Sequence, residues 1–415
     1  MKRTLHHLVT ACVAVSITIG AAAGTAAAKS NYPAEMEAWL KKAQLGPYQP
    51  KKEDWDAIVR KATEEGEVIV YSSTSRISKI GKSFMKKYPG IKVKGYDLGS
   101  VQSVEKTIRE QSAGIYSVDI VTTAGDQVIP ELLNKNRIIN YVPNAYLNRI
   151  PKKFRDPLLP RSIGAMAFMY NGEAHPDKAP VNNIWEFTEP KWRGRIAMKN
   201  PPNSLTTFLG VAIIVQNADK MAAAYKLHTG KPIKLSKGIA NAGYEFWYRL
   251  LKNDVVIFKS GSKMSAAVGK KGLKRPFISF DNMSRLGYNK RKGYVLRAFV
   301  KLEPVGRLTY LNYLGIARQA PHPNAAKLMV AYILGSTKIN KDTKLEPPYT
   351  KGKSLKLLQG FAPFFVPGNI SPRSDMPLPE GGEVWHQMKG WVADPDYLWS
   401  EGPKIRDFWI KYSAK

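Results

Sequence analysis

From Glu67 onward the sequence alternates between short β-rich runs and longer stretches with apolar residues at helical spacing. That rhythm restricts the chain to layered α/β architectures. Glu67 to Tyr71 reads as a buried strand, and a Ser/Thr loop leads into a helix carrying Ile80, Phe84 and Met85 on its apolar face. Pro89-Gly90 turns the chain into a strand from Ile91 to Tyr96, a helix follows near Ser103 to Ser112, and Val118 to Val121 is the third strand. Before them, Asp54 starts a helix with Trp55, Ile58, Val59 and Ala62 on one side, ended by Gly66. A second region of the same kind follows Tyr170-Asn171. It has strands at Arg195 to Lys199 and Phe277 to Phe280, an apolar helix from Leu205 to Gln216, and helical spacing of Tyr244, Trp247, Tyr248 and Leu251.

Lys2 and Arg3 precede an apolar run from Leu8 to Ala23 that ends at Ala26-Ala27-Ala28. This is the pattern of a cleaved signal peptide, with cleavage expected near Ala28 and a periplasmic destination. Cys12, the single cysteine of the 415 residues, lies inside that run, so no disulfide or thiol chemistry is expected of the exported chain. Lys and Arg number 64 against 33 Asp and Glu, a formal net charge of +31. Such a field attracts anionic partners. Export argues against nucleic acid, and the basic pairs are dispersed, as at Lys41-Lys42, Lys86-Lys87 and Lys270-Lys271.

Ligands of open parallel sheets sit beyond the carboxyl ends of strands, where helices begin. Four loops meet that description. Ser72-Ser73-Thr74-Ser75-Arg76 follows the first strand, Thr122-Thr123-Ala124-Gly125 follows the third, Asn203-Ser204-Leu205-Thr206-Thr207 opens the apolar helix, and Asp281-Asn282-Met283-Ser284-Arg285 follows the strand ending at Phe280. Hydroxyls and backbone N–H groups at helix starts favour an anion, with Arg76 or Arg285 supplying a forked contact. Any one such loop is an ordinary cap. Four of them facing one cleft would be a binding site. No metal-spaced histidines, Gly-x-Ser-x-Gly elbow or phosphate-binding Gly-Lys loop occurs, so no cofactor, metal or enzymatic activity is expected.

Several segments carry a family likeness: Glu65-Gly66-Glu67-Val68-Ile69-Val70-Tyr71-Ser72-Ser73, Tyr88-Pro89-Gly90-Ile91-Lys92-Val93, Val118-Asp119-Ile120-Val121, Trp185-Glu186-Phe187-Thr188-Glu189-Pro190-Lys191-Trp192-Arg193-Gly194-Arg195 and Ala320-Pro321-His322-Pro323-Asn324. In these the chain resembles the ferric-ion-type branch of the periplasmic solute-binding proteins of ABC transporters. The resemblance implies a type II periplasmic-binding-protein fold. Its two lobes, each a mostly parallel sheet flanked by helices, would be joined by crossover segments near Ile163 to Ala167 and Gly306 to Asn312. It divides the chain into a signal peptide (1–28), an N-terminal lead and helix (29–65), a first lobe (66–165 plus 309–415) and a second lobe (166–308). The implied partners are a small ligand and an inner-membrane ABC permease, with a monomeric state. Ferric-binding members carry a His after the first strand's Ser-Ser and a Tyr-Tyr pair after the strand matching Phe277 to Phe280. Here those positions read Thr74-Ser75-Arg76 and Asp281-Asn282-Met283-Ser284-Arg285, which points to a small anion such as a carboxylate, phosphonate, sulfonate or sugar phosphate. A ferric or ferric-chelate binder is the alternative within transport, and an exported enzyme on the same fold the alternative outside it.

Overall fold

A computed structural model describes residues 32–414, so the expected signal peptide lies outside the described residues. Among the described residues, twelve strands form one continuous sheet. They are β1 (Glu67–Ser72), β2 (Lys92–Asp97), β3 (Ile120–Thr123), β4 (Ile138–Ile139), β5 (Pro160–Asn171), β6 (Ile196–Met198), β7 (Val256–Ile257), β8 (Ile278–Asn282), β9 (Leu296–Ala298), β10 (Arg307–Ala317), β11 (Asn369–Ile370) and β12 (Gly390–Val392). The main path runs β2-β1-β3-β10-β5-β8-β6-β7.

The two ends of that path are parallel sheets. β1 pairs in parallel with β2 and β3, as in Val70↔Ile120, and β6 pairs in parallel with β7 and β8, as in Ile196↔Ile278. Parallel strands need crossovers of a dozen or more residues, and helices supply them. The helix Trp55–Glu65 leads into β1. Asp54 caps it by accepting from the Ala57 amide at 2.9 Å, and Gly66, at φ 74°, turns the chain out of it. Arg76–Lys87 connects β1 to β2, and Ser100–Ser112 connects β2 to β3. In the other half the helix Leu205–Gln216 is apolar nearly all round and ten of its residues are buried, as befits an element covered on several sides.

The halves meet along two long strands. β5 and β10 pair antiparallel from Leu308↔Met166 to Tyr313↔Pro160. Beyond that stretch β5 continues into β8 and β9, while β10 continues into β3 and β4. Each long strand therefore belongs to both halves; the expected crossover near Ile163 to Ala167 falls in β5, and that near Gly306 to Asn312 begins one residue before β10 and continues in it. The chain passes between the halves once more at β11, which lies on β5 at Gly164 and Ile163.

Two large apolar cores fill the halves. One gathers Leu40, Phe84, Ile316, Met329 and Phe361, and the other Trp185, Phe208, Phe246, Trp247 and Phe280. The chain's end differs from the sequence reading, which groups residues 309–415 with the first lobe. Leu398, Ile405 and Trp409, on the C-terminal helix Pro395–Ser413, are buried in the second core. Trp409 meets Trp247 edge-on with ring centroids 6.0 Å apart. The physical reason is the aromatic stripe of that helix, which fits the surface left open by Leu205–Gln216 and Ala242–Lys252. Among the described residues no helix is long and apolar enough to cross a membrane.

Candidate functional site

A cleft of about 1250 Å³ lies between the halves, with loops from both sides on its walls and the two long strands on its floor. The first wall begins where β1 ends. Ser72 Oγ accepts from the Thr74 amide at 3.2 Å and donates to the Thr74 carbonyl at 3.1 Å, and Thr74 Oγ1 accepts from the Arg76 amide at 3.4 Å. These short polar residues fold the turn upon itself. Much of the hydrogen-bonding capacity read as anion-binding is thus engaged in the turn. What the turn presents to the cleft is Ser73, Thr74, Ser75 and the Arg76 guanidinium. Asp97, Gly99 and Ser100, from the end of β2 and the next helix start, extend this wall.

The opposite wall has two parts. At the start of Leu205–Gln216, Thr207 Oγ1 donates to Ser204 Oγ at 3.0 Å, and Asn203, Ser204, Thr206 and Thr207 all line the cleft. Beyond β8, Asn282 Oδ1 accepts from the Ser284 amide at 2.9 Å, which sets the direction of the turn carrying Arg285. Arg285 Nε lies 3.3 Å from Asp281 Oδ2, and its Nη1 donates to the Tyr288 hydroxyl at 3.0 Å. Burial opposes the charges of both partners. It pushes the Asp281 carboxyl above its usual range, while Asp281 and Tyr288 hold the Arg285 pKa up against it. Gly261 leaves the space that Arg285 occupies: a Cβ there would stand 2.3 Å from Arg285 Nη2.

The floor carries groups that the loop-based reading does not contain. Arg161 on β5 is 4% exposed. Its Nε donates to Thr122 Oγ1 at 2.7 Å, Nη1 to Ser162 Oγ at 3.3 Å and Nη2 to Asn312 Oδ1 at 3.3 Å. Its guanidinium carbon stands 4.6 Å from the centroid of the Phe364 ring, and that of Arg76 stands 5.3 Å from the same centroid. Burial, then the neighbouring Arg76, brings the Arg161 pKa down to about 9. Burial, then Arg291 and Arg285, brings that of Arg76 down to about 10. Tyr310 on β10 is buried beside them and bonds through its hydroxyl to Asn282 Nδ2.

Among the described residues, polar contacts join the halves. Arg76 Nη2 donates to Ser284 Oγ at 3.3 Å, the Leu205 amide donates to Ser100 Oγ at 3.2 Å, and Arg406 Nη2 donates to both oxygens of Asp126 at 2.9 and 2.8 Å. Arg406 also lies 4.0 Å over the Phe208 ring. Its helix is packed on the second half, whereas Asp126 follows β3 of the first.

Of the residues expected at a site, Ser73, Thr74, Ser75, Arg76, Asn203, Ser204, Thr206, Thr207, Asp281, Asn282 and Arg285 are brought to this one cleft. Thr123 and Ala124 are not. They are 1% and 0% exposed, and Thr123 Oγ1 is turned to the carbonyls of Ser100 and Ala124. Their loop is covered by Leu205, which comes within 2.5 Å of where a Gly125 Cβ would be, so it lies under the wall. Arg161, Lys199, Tyr310 and Asn312 were missed because they sit within strands or beyond a strand end rather than in a hydroxyl-rich loop. A charged residue in an otherwise apolar strand, Arg161 among Leu158, Leu159, Ile163 and Ala165, is the signal that would have found the first.

A sheet shared by two halves through two long strands, with a cleft over the shared strands, is the architecture of the type II periplasmic solute-binding proteins. Solved structures of that class match it over most of their length. A ferric binding protein from Campylobacter jejuni has a TM-score of 0.59 at 14% identity, with 83% of this chain and 99% of that one covered. An ABC transporter substrate-binding protein from Bradyrhizobium japonicum gives 0.57 at 13%, with 84% and 99% covered. A periplasmic binding protein from Agrobacterium tumefaciens, solved in complex with agropinic acid, gives 0.55 at 13%, with 84% and 99% covered. No family model and no curated protein sequence matches the chain. At these identities the likeness is one of fold.

Proposed function

We propose that the protein is the solute-binding component of an ABC importer, working outside the cytoplasmic membrane, and that its cleft takes a small anionic solute. The charge of the cleft carries this reading. Eight Lys and Arg residues line it against three Asp and Glu, and Asp281 is already paired with Arg285. Walls of that sign and low polarisability concentrate anions and speed their capture. The lobes move about the long strands, and the solute favours the closed form by contacting both walls at once. The type of the solved structures, binding proteins that deliver small ligands to a permease, supports the same role.

Iron fits this cleft poorly. A trivalent cation would lie among Arg76, Arg161, Arg285 and Arg291, and among the described residues no group of three or more His, Cys, Asp or Glu gathers as a metal site. Tyr288 is bonded to Ser262 and Arg285.

The test is a thermal-shift screen of refolded, ligand-stripped protein against ferric citrate and a panel of carboxylates, phosphonates, sulfonates and sugar phosphates. A bound solute raises the melting temperature by mass action. The expected outcome is a rise with one class of anion. A rise with ferric citrate alone would show the proposed ligand class to be wrong.

A further inference from the structure

Arg161 and Arg76 meet at the floor of the cleft with, among the described residues, only neutral hydrogen-bond partners. Arg285 has Asp281 beside it, but among the described residues no carboxylate pairs with Arg161 or Arg76. The hydrogen-bond partners of Arg161 are two hydroxyls and an amide oxygen, and Arg76 reaches the hydroxyl of Ser284. Both guanidiniums are drawn to one ring, Phe364, which is 1% exposed. Arg161 is a charge so buried that a counter-charge ordinarily neutralises it, because desolvation otherwise outweighs what neutral acceptors return. The half-buried Arg76 on the same ring repels it as well. The fold tolerates this at the floor of a cleft that opens to solutes.

We propose that Arg161 and Arg76 form a subsite for a doubly charged phosphoryl head, that of a phosphate monoester, a phosphonate or free phosphate. This rests on the anion-binding reading above and narrows it. A planar carboxylate carries one charge and two oxygens, which one guanidinium fork satisfies. Two guanidiniums gathered on one ring call for a second charge and a third acceptor oxygen, and a tetrahedral dianion supplies both on one atom. The neutral neighbours Ser162, Asn312 and Ser284 hold the forks in place without competing for that charge. Phe364 fixes the planes of both.

The experiment is calorimetric titration of the full, ligand-stripped protein with inorganic phosphate, glycerol phosphate, methylphosphonate, the monomethyl ester of methylphosphonate, and succinate. At an alkaline pH of about 8.5 the phosphoryl heads are doubly ionised, whereas the monomethyl ester keeps one charge. The phosphoryl dianions should bind at least about 30-fold tighter than the monomethyl ester, the scale of losing one buried charge pair. Their affinity should fall as pH drops through the head's second ionisation. Arg161→Met and Arg76→Met should each abolish the difference, and Arg161→Lys, which keeps the charge and loses the fork, should weaken it in a protein of unchanged fold. The rank order assigns the source: equal affinity for inorganic phosphate and glycerol phosphate means the free ion, tighter glycerol phosphate an ester, tighter methylphosphonate a phosphonate. Binding of succinate with all phosphoryl probes silent overturns the subsite and leaves the anion reading intact. Ferric citrate binding with every anion silent overturns the anion reading itself. A folded Arg161→Lys variant with unchanged affinity and selectivity also overturns the subsite.

Discussion

Replacing Arg161 by Met should make the ligand-free protein more stable while it loses its solute. The cost of the native charge can be read from its surroundings. Burial and Arg76 bring the Arg161 pKa down from the ordinary arginine range to about 9. At 1.36 kcal/mol per pH unit the charged form is penalised by up to about 5 kcal/mol. Met fills a similar volume and removes that penalty, but it also gives up the 2.7 Å bond to Thr122, the two 3.3 Å bonds to Ser162 and Asn312, and the contact with Phe364. Together these return about 4 kcal/mol. Thr122 Oγ1 keeps a partner after the change, since it also donates to the Tyr313 carbonyl. The net expectation is a gain of about 1 kcal/mol, or roughly one to two degrees in melting temperature. Urea unfolding of stripped wild type and variant, followed by circular dichroism, measures it. The sign follows from linkage. A base whose pKa is lowered by folding destabilises the native state at every pH below the folded value, and the penalty fades between the folded and unfolded values. The gap between variant and wild type should therefore be flat below about pH 9 and narrow above it. A variant less stable than wild type at pH 7, with solute binding retained, would make Arg161 a structural brace of the shared strands and refute the reasoning.

Asp126→Asn should loosen the contact between the halves, because Arg406 donates to both of its oxygens. A loss of roughly 1–3 kcal/mol should appear as a larger radius of gyration in solution scattering without solute and about tenfold weaker binding. Gly261→Ala should push Arg285 from its place through the Cβ contact at 2.3 Å. Titration should show weaker binding with near-native unfolding, and unchanged affinity would remove Arg285 from the site. His322 Nδ1 lies 3.0 Å from the buried Asp119, and that hydrogen bond raises the His322 pKa. The pair's contribution is then complete below the ordinary histidine value and disappears as pH rises through the folded one. The stability difference between wild type and His322→Gln should accordingly shrink from mildly acidic to alkaline pH, and a pH-independent difference would contradict the pairing.

Local signals in the sequence located most elements. Asp54 and Gly66 bracket their helix because a cap and a left-handed exit act within a few residues. Leu205–Gln216 follows from an unbroken apolar pattern. The wall loops were legible for the same reason: Ser, Thr and Asn after a strand mark a turn, and a parallel sheet sends such turns to one edge. Thr123 and Ala124 satisfied that rule and still lie under Leu205, since which turn is covered depends on the packing of the halves. The floor was not legible as a site. Arg161, Tyr310 and Asn312 converge only because β5 and β10 pair across a separation of about 150 residues, with a shift of register at Asn312/Tyr313. The destination of the last helix was hidden likewise, for an aromatic stripe shows that a face is buried and not against what.

That last helix has a consequence for how the molecule is made. The strands and helices around Trp247 and Phe208 come earlier in the chain, yet Trp409 and Arg406, which cover them, follow much later. A chain emerging amino end first therefore holds an uncapped second half until that helix has followed. Loss of the helix, or a bulky insertion in it, would strike the centre of the molecule instead of its edge.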